Sequence, residues 1–520
     1  MTAVGFGTIG ASRPATPAPT PTPSTVTVTE PVKPVGTEAG VSGVPKMKLG
    51  VNLEKPTYYG GARVFSNLML QSYWALKSST SSSQMPAEKM DRDQNLIQLA
   101  AGEQASRAIG PATNALRGLS VDIICRWAGK AKIEIRGKVA RNIRISGSSL
   151  TFTFVPDGNN SAEFVVSGLD TANPIRDIDC RETDADPNAI YDPAFLADAA
   201  RYDTLRLMKW QSAVESNAVV TWANRTKTTA NSYATVDGVP IERMILLANL
   251  IKRNIWLCIP WNANEEYIHK FAEYVRDNLD PSLVAYVELS NEVWNTGYKV
   301  TQQAREEGLA ENLATDSGLA TLYRYAERTA EVMDVWKSVF ATNPRRIVRV
   351  LATQNAVPWG AKVTLAYKDT ASKVDALATA PYFSRRFAAG EQPPADFFSN
   401  GLLEAMNLKL ANAAENKALA TERGLRYITY EAGQHITISN DADIPMLAQL
   451  QRDPRMGDLY TRYLMKWKDD FGDLMVLFHA WGPINRYGAW GMQEYLGQPL
   501  SEAPKARAVD LFRQSYLTKN

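Results

Sequence analysis

From residue 192 onward the hydrophobic positions switch between two periods. Short runs that are apolar on both faces, Asp203–Trp210, Ile255–Pro260, Arg346–Thr353, Val374–Tyr382, Leu425–Glu431 and Leu474–Ala480, read as buried strands. The run from Ala285 to Glu292 belongs with them, Tyr286 and Val287 supplying β propensity. Between these runs apolar residues recur three and four positions apart. That spacing predicts helices over Pro193–Arg201, Pro240–Lys252, Glu265–Asn278, Thr321–Phe340, Leu402–Thr421, Ile444–Lys468 and Pro504–Tyr516. Asp192 ahead of Pro193 is a helix-start signal. With Lys48–Leu53 there are eight strand candidates, and helical segments separate nearly all of them. The predicted fold class is α/β, a closed (β/α)8 TIM barrel in preference to an open doubly wound sheet.

Between residues 121 and 166 the period is two. Val121–Cys125, Ala131–Arg136, Asn142–Ile145, Leu150–Val155 and Glu163–Val166 alternate and are separated by Gly, Asn and Asp. They predict a small antiparallel β domain inserted after the first barrel strand. Val64–Lys77 has apolar residues at helical spacing and predicts a helix. Residues 1–46 are Pro/Thr-rich and predict an extended or disordered leader, either a flexible linker or a tether. The chain therefore divides into that leader, residues 47–118 with the first barrel strand and an irregular helical segment, residues 119–182 as the β-rich insert, and residues 183–520 as the rest of the barrel.

Charge and composition remove several classes of function. Lys and Arg number 57 against 55 Asp and Glu, a net charge of +2, so no nucleic-acid partner is implied. The most apolar run, Met244–Trp261, is interrupted by Lys252 and Arg253, and no membrane span is expected. No glycine-rich phosphate loop follows a strand, and His269, His435 and His479 are too scattered for a zinc site. No cofactor or metal is expected. Of the three cysteines, Cys125 and Cys180 can bridge only if their strands are neighbours, and three buried thiols, with Cys258, are the expectation. The N-terminus has neither a basic n-region nor an apolar h-region. An extracellular or particle-associated location, such as a phage virion, is expected, with the leader anchoring the chain to a larger assembly.

The candidate chemistry lies where the barrel strands end. Those ends read Asn52, then Arg206 and Trp210, then Trp261 and Asn262, then Asn291 and Glu292, then Gln354, then Tyr382, then Glu431, then His479 and Trp481. Glu292 and Glu431 close strands four and seven, nearly opposite across the mouth. Two carboxyl groups facing a cleft are what glycosidic-bond cleavage needs, one giving a proton to the leaving oxygen and the other attacking the anomeric carbon or activating water. Arg206 is expected to keep its carboxylate charged and lower its pKa, Tyr382 to position it, and Asn291 to bind a sugar hydroxyl. Trp210, Trp222, Trp261, Trp294, Trp359, Trp481 and Trp490 offer flat faces for pyranose rings, each with loop packing as the plainer reading. Glu288 shares the strand parity of Glu292 and is expected to support the site by pairing with Arg206 or Arg349.

Glu288-Leu-Ser-Asn-Glu-Val-Trp-Asn295 and, more loosely, Tyr430-Glu-Ala-Gly-Gln-His435 resemble glycoside hydrolase clan A, the retaining (β/α)8 glycosidases. The resemblance covers residues 47–53 and 192–516. It implies Glu292 as acid/base and Glu431 as nucleophile, with Arg206, Tyr382 and Trp481 matching the strand-two Arg, strand-six Tyr and strand-eight Trp. His435 joins Asn52, Trp210, Trp261, Asn262, Asn291, Trp294 and Gln354 as candidate substrate contacts. Pro260-Trp261-Asn262 stands where many clan members have a His, and the β insert is unlike the compact cellulases. The expected function is endo-acting retaining hydrolysis of a polysaccharide or surface glycan. The alternative is a non-catalytic glycan-binding or structural virion protein, fibre-like, on the same barrel.

Overall fold

A parallel strand buried on both faces can be satisfied only between two other strands, and the apolar runs solve this by pairing around a ring. The computed structural model describes residues 45–77, 82–110, 119–158, 160–213 and 219–517. The 1–44 part of the leader, and with it the anchoring expectation, lies outside the described residues.

In chain order the strands are β1 (Lys48–Asn52), β2 (Ala75–Lys77), β3 (Ser82–Gln84), β4 (Gln104–Ile109), β5 (Val121–Ala128), β6 (Lys132–Arg136), β7 (Ala140–Ser146), β8 (Ser149–Phe154), β9 (Ala162–Ser167) and β10 (Arg176–Glu182). They continue as β11 (Thr204–Arg206), β12 (Asn254–Ile259), β13 (Ala285–Leu289), β14 (Ile347–Ala352), β15 (Ala376–Thr379), β16 (Phe383–Phe387), β17 (Arg426–Thr429), β18 (Gln434–Ile438) and β19 (Leu474–Leu477). The helices are α1 (Pro193–Ala199), α2 (Ile241–Ile251), α3 (Glu265–Asn278), α4 (Lys299–Ala310), α5 (Ser317–Val339), α6 (Pro358–Ala366), α7 (Thr370–Lys373), α8 (Leu403–Glu422), α9 (Ile444–Arg452), α10 (Pro454–Asp470) and α11 (Pro504–Phe512).

Eight strands form one parallel sheet in the order β17-β15-β14-β13-β12-β11-β1-β19. Where β17 meets β19, the Thr429 hydroxyl accepts from Val476 N at 2.8 Å and donates to its carbonyl at 3.3 Å, bringing the ring nearly to closure. The fold is a TIM barrel with helices around it. Alternation along each strand assigns the faces. Trp256, Cys258, Tyr286, Val350, Ala352, Ala376, Ala378 and Val476 fill the interior, while Ile255, Leu257, Val287 and Leu289 face the helices. Gly50 is required at the tightest point, since a Cβ there would lie 2.9 Å from the Thr204 carbonyl oxygen.

The insert is two antiparallel sheets, ordered β10-β5-β8-β7 and β3-β2-β4-β9-β6, with their own apolar core. Its strands begin at Ala75, well before Val121, because the short β2 and β3 carry no alternating apolar signal. Cys125 and Cys180 face each other on β5 and β10 and form a disulfide, which corrects the expectation of three free thiols. The helix expected over Val64–Lys77 is instead a single 3-10 turn at Leu68–Gln71 followed by β2. The Gln71 side chain holds the non-helical path: its oxygen accepts from Val64 N and Phe65 N and its amide donates to the Ala62 carbonyl. The helix expected over Ile444–Lys468 breaks at Asp453-Pro454, where Asp453 caps α10 and Pro454 opens it.

Two features of the mouth carried no sequence signal strong enough to read. α4 follows the fourth barrel strand. β16 and β18, which lead away from strands six and seven, pair in parallel as a ribbon. Among the described residues no helix is long and apolar enough to cross a membrane.

Candidate active site

Strand parity sends Arg206 from β11 and Glu288 from β13 into the barrel just below its mouth, and both are completely buried. Arg206 uses every guanidinium nitrogen. Nε and Nη2 donate to Glu288 Oε2 at 3.1 and 2.9 Å, and Nη2 also donates to Asn291 Oδ1 at 2.7 Å. Nη1 donates to Asn52 Oδ1 at 3.0 Å and to Glu431 Oε1 at 2.8 Å. The ring of Trp256 lies 5.6 Å from the guanidinium carbon and that of Tyr430 5.1 Å. The expected pairing of Glu288 is therefore with Arg206; Arg349 bonds Asp375 instead.

Glu431 and Glu292 sit in different environments. Glu431 takes a cation, Arg206, on Oε1 and the Tyr382 hydroxyl on Oε2 at 3.0 Å. Glu292 takes only neutral donors: the Tyr430 hydroxyl on Oε1 and the Asn295 amide on Oε2, both at 2.8 Å. Its backbone is left-handed, φ +45°, as is that of Ser290 at +55°. An Asn or Gly would adopt these angles more readily, so the exit of the fourth barrel strand holds conformational strain next to the carboxyl.

One guanidinium here faces three carboxyl groups, those of Glu288, Glu292 and Glu431, with little water to screen them. Burial pushes Glu431 up to about 7; Arg206 opposes this and the charge of Glu292 adds to it. The expected lowering by Arg206 is thus outweighed by desolvation. Glu292 is also raised, by burial, against its hydrogen bonds from Asn295 and Tyr430. The two carboxyls titrate together rather than independently. Arg206 bonds Glu431 and not Glu292, which favours the ionised form on Glu431 relative to a carboxyl with neutral donors only.

The other candidates divide. Asn52 and Asn291 are buried and spent on Arg206, Asn52 also donating to the Tyr430 carbonyl at 3.0 Å. Their side-chain oxygens orient Arg206. Trp210, Trp261 and Trp481 do not offer faces to a cleft. Trp210 lies in a 3-10 turn, packed on Phe65 and Phe195, with its indole N–H on the Glu54 carbonyl. Trp261 is buried with its N–H on Glu307, and Trp481 is buried against Phe195 with its N–H on Asp198. Each indole had an apolar pocket and a polar partner behind the barrel wall, which periodicity does not reveal.

Trp294, Gln354, Tyr382 and His435 remain half-buried at the mouth. The Trp294 indole N–H is buried without a partner among the described residues. Asn262, also half-buried, exchanges amide hydrogen bonds with Gln303 at the base of α4. His435, on the ribbon, packs edge-on to Tyr382 at 5.7 Å and is pushed down to about 4 by burial, so its ring is neutral.

Trp490 takes the place expected of Trp481. Its ring lies 5.3 Å from His435, 5.8 Å from Phe478 and 6.5 Å from His479. Its neighbour Ala489 is held by two donors on one carbonyl, Gln434 Nε2 at 2.7 Å and Lys505 Nζ at 2.5 Å. Tyr298, at the start of α4, is another group not singled out from sequence; its hydroxyl is pushed well up by burial and by the charges of Glu292 and Glu431. Tyr430 and Asn295 were also missed, although both stand inside the two motifs that drew notice.

No protein-family model matches the chain, and no curated protein does. Solved structures with a related fold include a GH51 arabinofuranosidase from Xanthomonas axonopodis pv. citri, 13% identical over 62% of this chain and 66% of that one, TM-score 0.41. A 4-O-α-L-rhamnosyl-β-D-glucuronidase from Fusarium oxysporum 12S is 12% identical over 61% and 65%, TM-score 0.37. A GH5-4 broad-specificity endoglucanase from Clostridium acetobutylicum is 11% identical over 61% and 88%, TM-score 0.32. The chain spans just under two thirds of the first two. At this similarity neither activity nor substrate passes from those proteins to this chain.

Proposed function

We propose that the chain is a retaining glycoside hydrolase. The observation that carries this reading is the asymmetry of two carboxyl groups at one barrel mouth: the buried Glu431 held by Arg206 and Tyr382, the half-buried Glu292 held by Tyr430 and Asn295. Glu431, charged, attacks the anomeric carbon while Glu292 gives its proton to the departing oxygen. Glu292, now ionised, then takes a proton from the water that releases the glycosyl group from Glu431. Burial serves both steps. It raises the Glu292 carboxyl towards its protonated form and leaves the Glu431 charge poorly solvated, hence reactive.

The half-buried Trp490, Trp294, Gln354 and His435 are the proposed sugar contacts, and a polysaccharide or oligosaccharide the proposed substrate. Reducing-end release from a polysaccharide panel tests the reading. Glu292→Gln and Glu431→Gln are each expected to lower turnover by about 10³-fold or more while the protein stays folded. Glycan binding without release, unchanged by both substitutions, supports the non-catalytic glycan-binding alternative.

A further inference from the structure

The mouth contains a carboxylate that hydrolysis does not use. Glu288 is fully buried, and a single oxygen, Oε2, accepts from Arg206 Nε and Nη2 and from Trp256 Nε1 at 2.8 Å, with Cys258 Sγ at 3.5 Å. Its other oxygen, Oε1, is buried with no partner among the described residues. If Arg206 only had to be held in place, an uncharged acceptor would do so without the cost of a buried, half-satisfied carboxylate. What a charge adds is competition: Arg206 gives two nitrogens to Glu288 and one to Glu431.

We infer that Glu288 is a positioning residue that draws part of the Arg206 charge away from Glu431 and so sets the pH at which Glu431 becomes a nucleophile. The inference rests on the glycosidase reading for its consequence and on the Arg206 geometry for its cause. The charges around Glu431 come from every neighbouring element: Arg206 on β11, Glu288 on β13, Glu292 after β13, Tyr382 after β15 and Tyr430 at the end of β17. Cys258 on β12 and Tyr298 at α4 also face it, and burial raises both of their pKa values so that they are neutral. Arg206 is the one cation among these groups. Any carboxylate that shares it weakens its hold on Glu431, and the Glu288 charge acts on Glu431 in that direction. Without Glu288, Arg206 would hold Glu431 ionised to a lower pH. That would make it charged over a wider range but a weaker nucleophile.

The test is the pH dependence of kcat/KM in Glu288→Gln, which keeps the acceptor oxygen for Arg206 and Trp256 and removes the charge. The acid limb, set by Glu431, is expected to fall by about one pH unit, and the basic limb, set by the more distant Glu292, by less. Glu288→Asp, which keeps the charge but withdraws it by one methylene, is expected to shift the acid limb in the same direction by less, and covers the case in which Glu288→Gln does not fold. A folded variant with reduced turnover but unmoved limbs would overturn the inference and leave Glu288 a purely structural group. Titration of the Glu431 carboxyl carbon by NMR in ¹³C-glutamate-labelled protein reads the same shift without any substrate. The glycosidase reading can therefore fail in the activity assay while the Glu288 inference is still decided.

Discussion

Among the described residues two arginines are completely buried, and their surroundings differ in kind. Arg206, at the barrel mouth, lies over Trp256 and bonds two carboxylates and two amides. Arg107, on β4 where the inserted sheets meet the barrel loops, lies 5.1 Å from the Trp74 ring but has no carboxylate. One nitrogen, Nη2, donates to the carbonyls of Met69, Ser72 and Asn231; Nε and Nη1 have no partner among the described residues. Burial alone acts on it and lowers its pKa to about 9. The same residue type at the same burial thus does two things. Arg107 ties a turn, a strand and a loop together through neutral oxygens. Arg206 distributes charge among the carboxyl groups proposed to react. Anions outnumber the cation around Arg206, and no carboxylate accompanies Arg107 among the described residues.

The sharpest way to break this comparison is to remove each cation with an apolar side chain of similar reach. Arg206→Met leaves Glu288 and Glu431 buried without their counter-charge. Turnover is expected to fall by about 10²-fold or more, and stability by about 3–5 kcal/mol near pH 8. The stability loss should shrink towards pH 5, where Glu431 is protonated and no longer needs a counter-charge; urea unfolding at the two pH values measures it. A loss independent of pH would mean that Arg206 matters for packing alone.

Glu431→Gln sharpens the electrostatic half. The folded-state pKa of Glu431 is raised from 4.5 to about 7, so the folded protein binds its proton more tightly than the unfolded chain does. Wild-type stability should therefore decline as pH rises from about 4.5 to about 7 and stay lower above that. The Gln variant escapes this decline. It is expected to be more stable than wild type by roughly 3 kcal/mol at pH 8 and equal to it near pH 4, apart from its lost hydrogen bonds. A variant less stable at both pH values would place the cost of the site elsewhere.

Arg107→Met should do least. The change leaves the carbonyls of Met69, Ser72 and Asn231 without their shared donor, so stability is expected to fall by about 1–3 kcal/mol with kcat/KM unchanged. A loss of turnover comparable with that of Arg206→Met would erase the distinction between the two sites.

The barrel was legible because strand periodicity is a local property. Runs such as Ile255–Pro260 and Leu474–Ala480 are apolar on both faces whatever surrounds them, and eight such runs leave few ways to pair. Parity then put Glu288 beside Arg206. The tryptophans were not legible: Trp210, Trp261 and Trp481 look like Trp490 in sequence, and only the position of Phe195, Glu307 or Asp198 decides which indole turns inward. The Cys125–Cys180 bridge and the β16–β18 ribbon were hidden for the same reason, since both depend on which strands become neighbours. The expected lowering of the Glu431 pKa failed because burial outweighs Arg206, which Glu431 shares with Glu288.

The roles of the two glutamates are the central claim, and azide separates them. With an aryl glycoside of the sugar found on the panel, Glu292→Ala still forms the glycosyl-enzyme, and azide should release a glycosyl azide with the configuration of the substrate. In Glu431→Ala azide replaces the missing nucleophile and should give the inverted glycosyl azide. NMR of the anomeric proton distinguishes the products. The opposite assignment of retained and inverted products, or rescue of neither variant, would contradict the account.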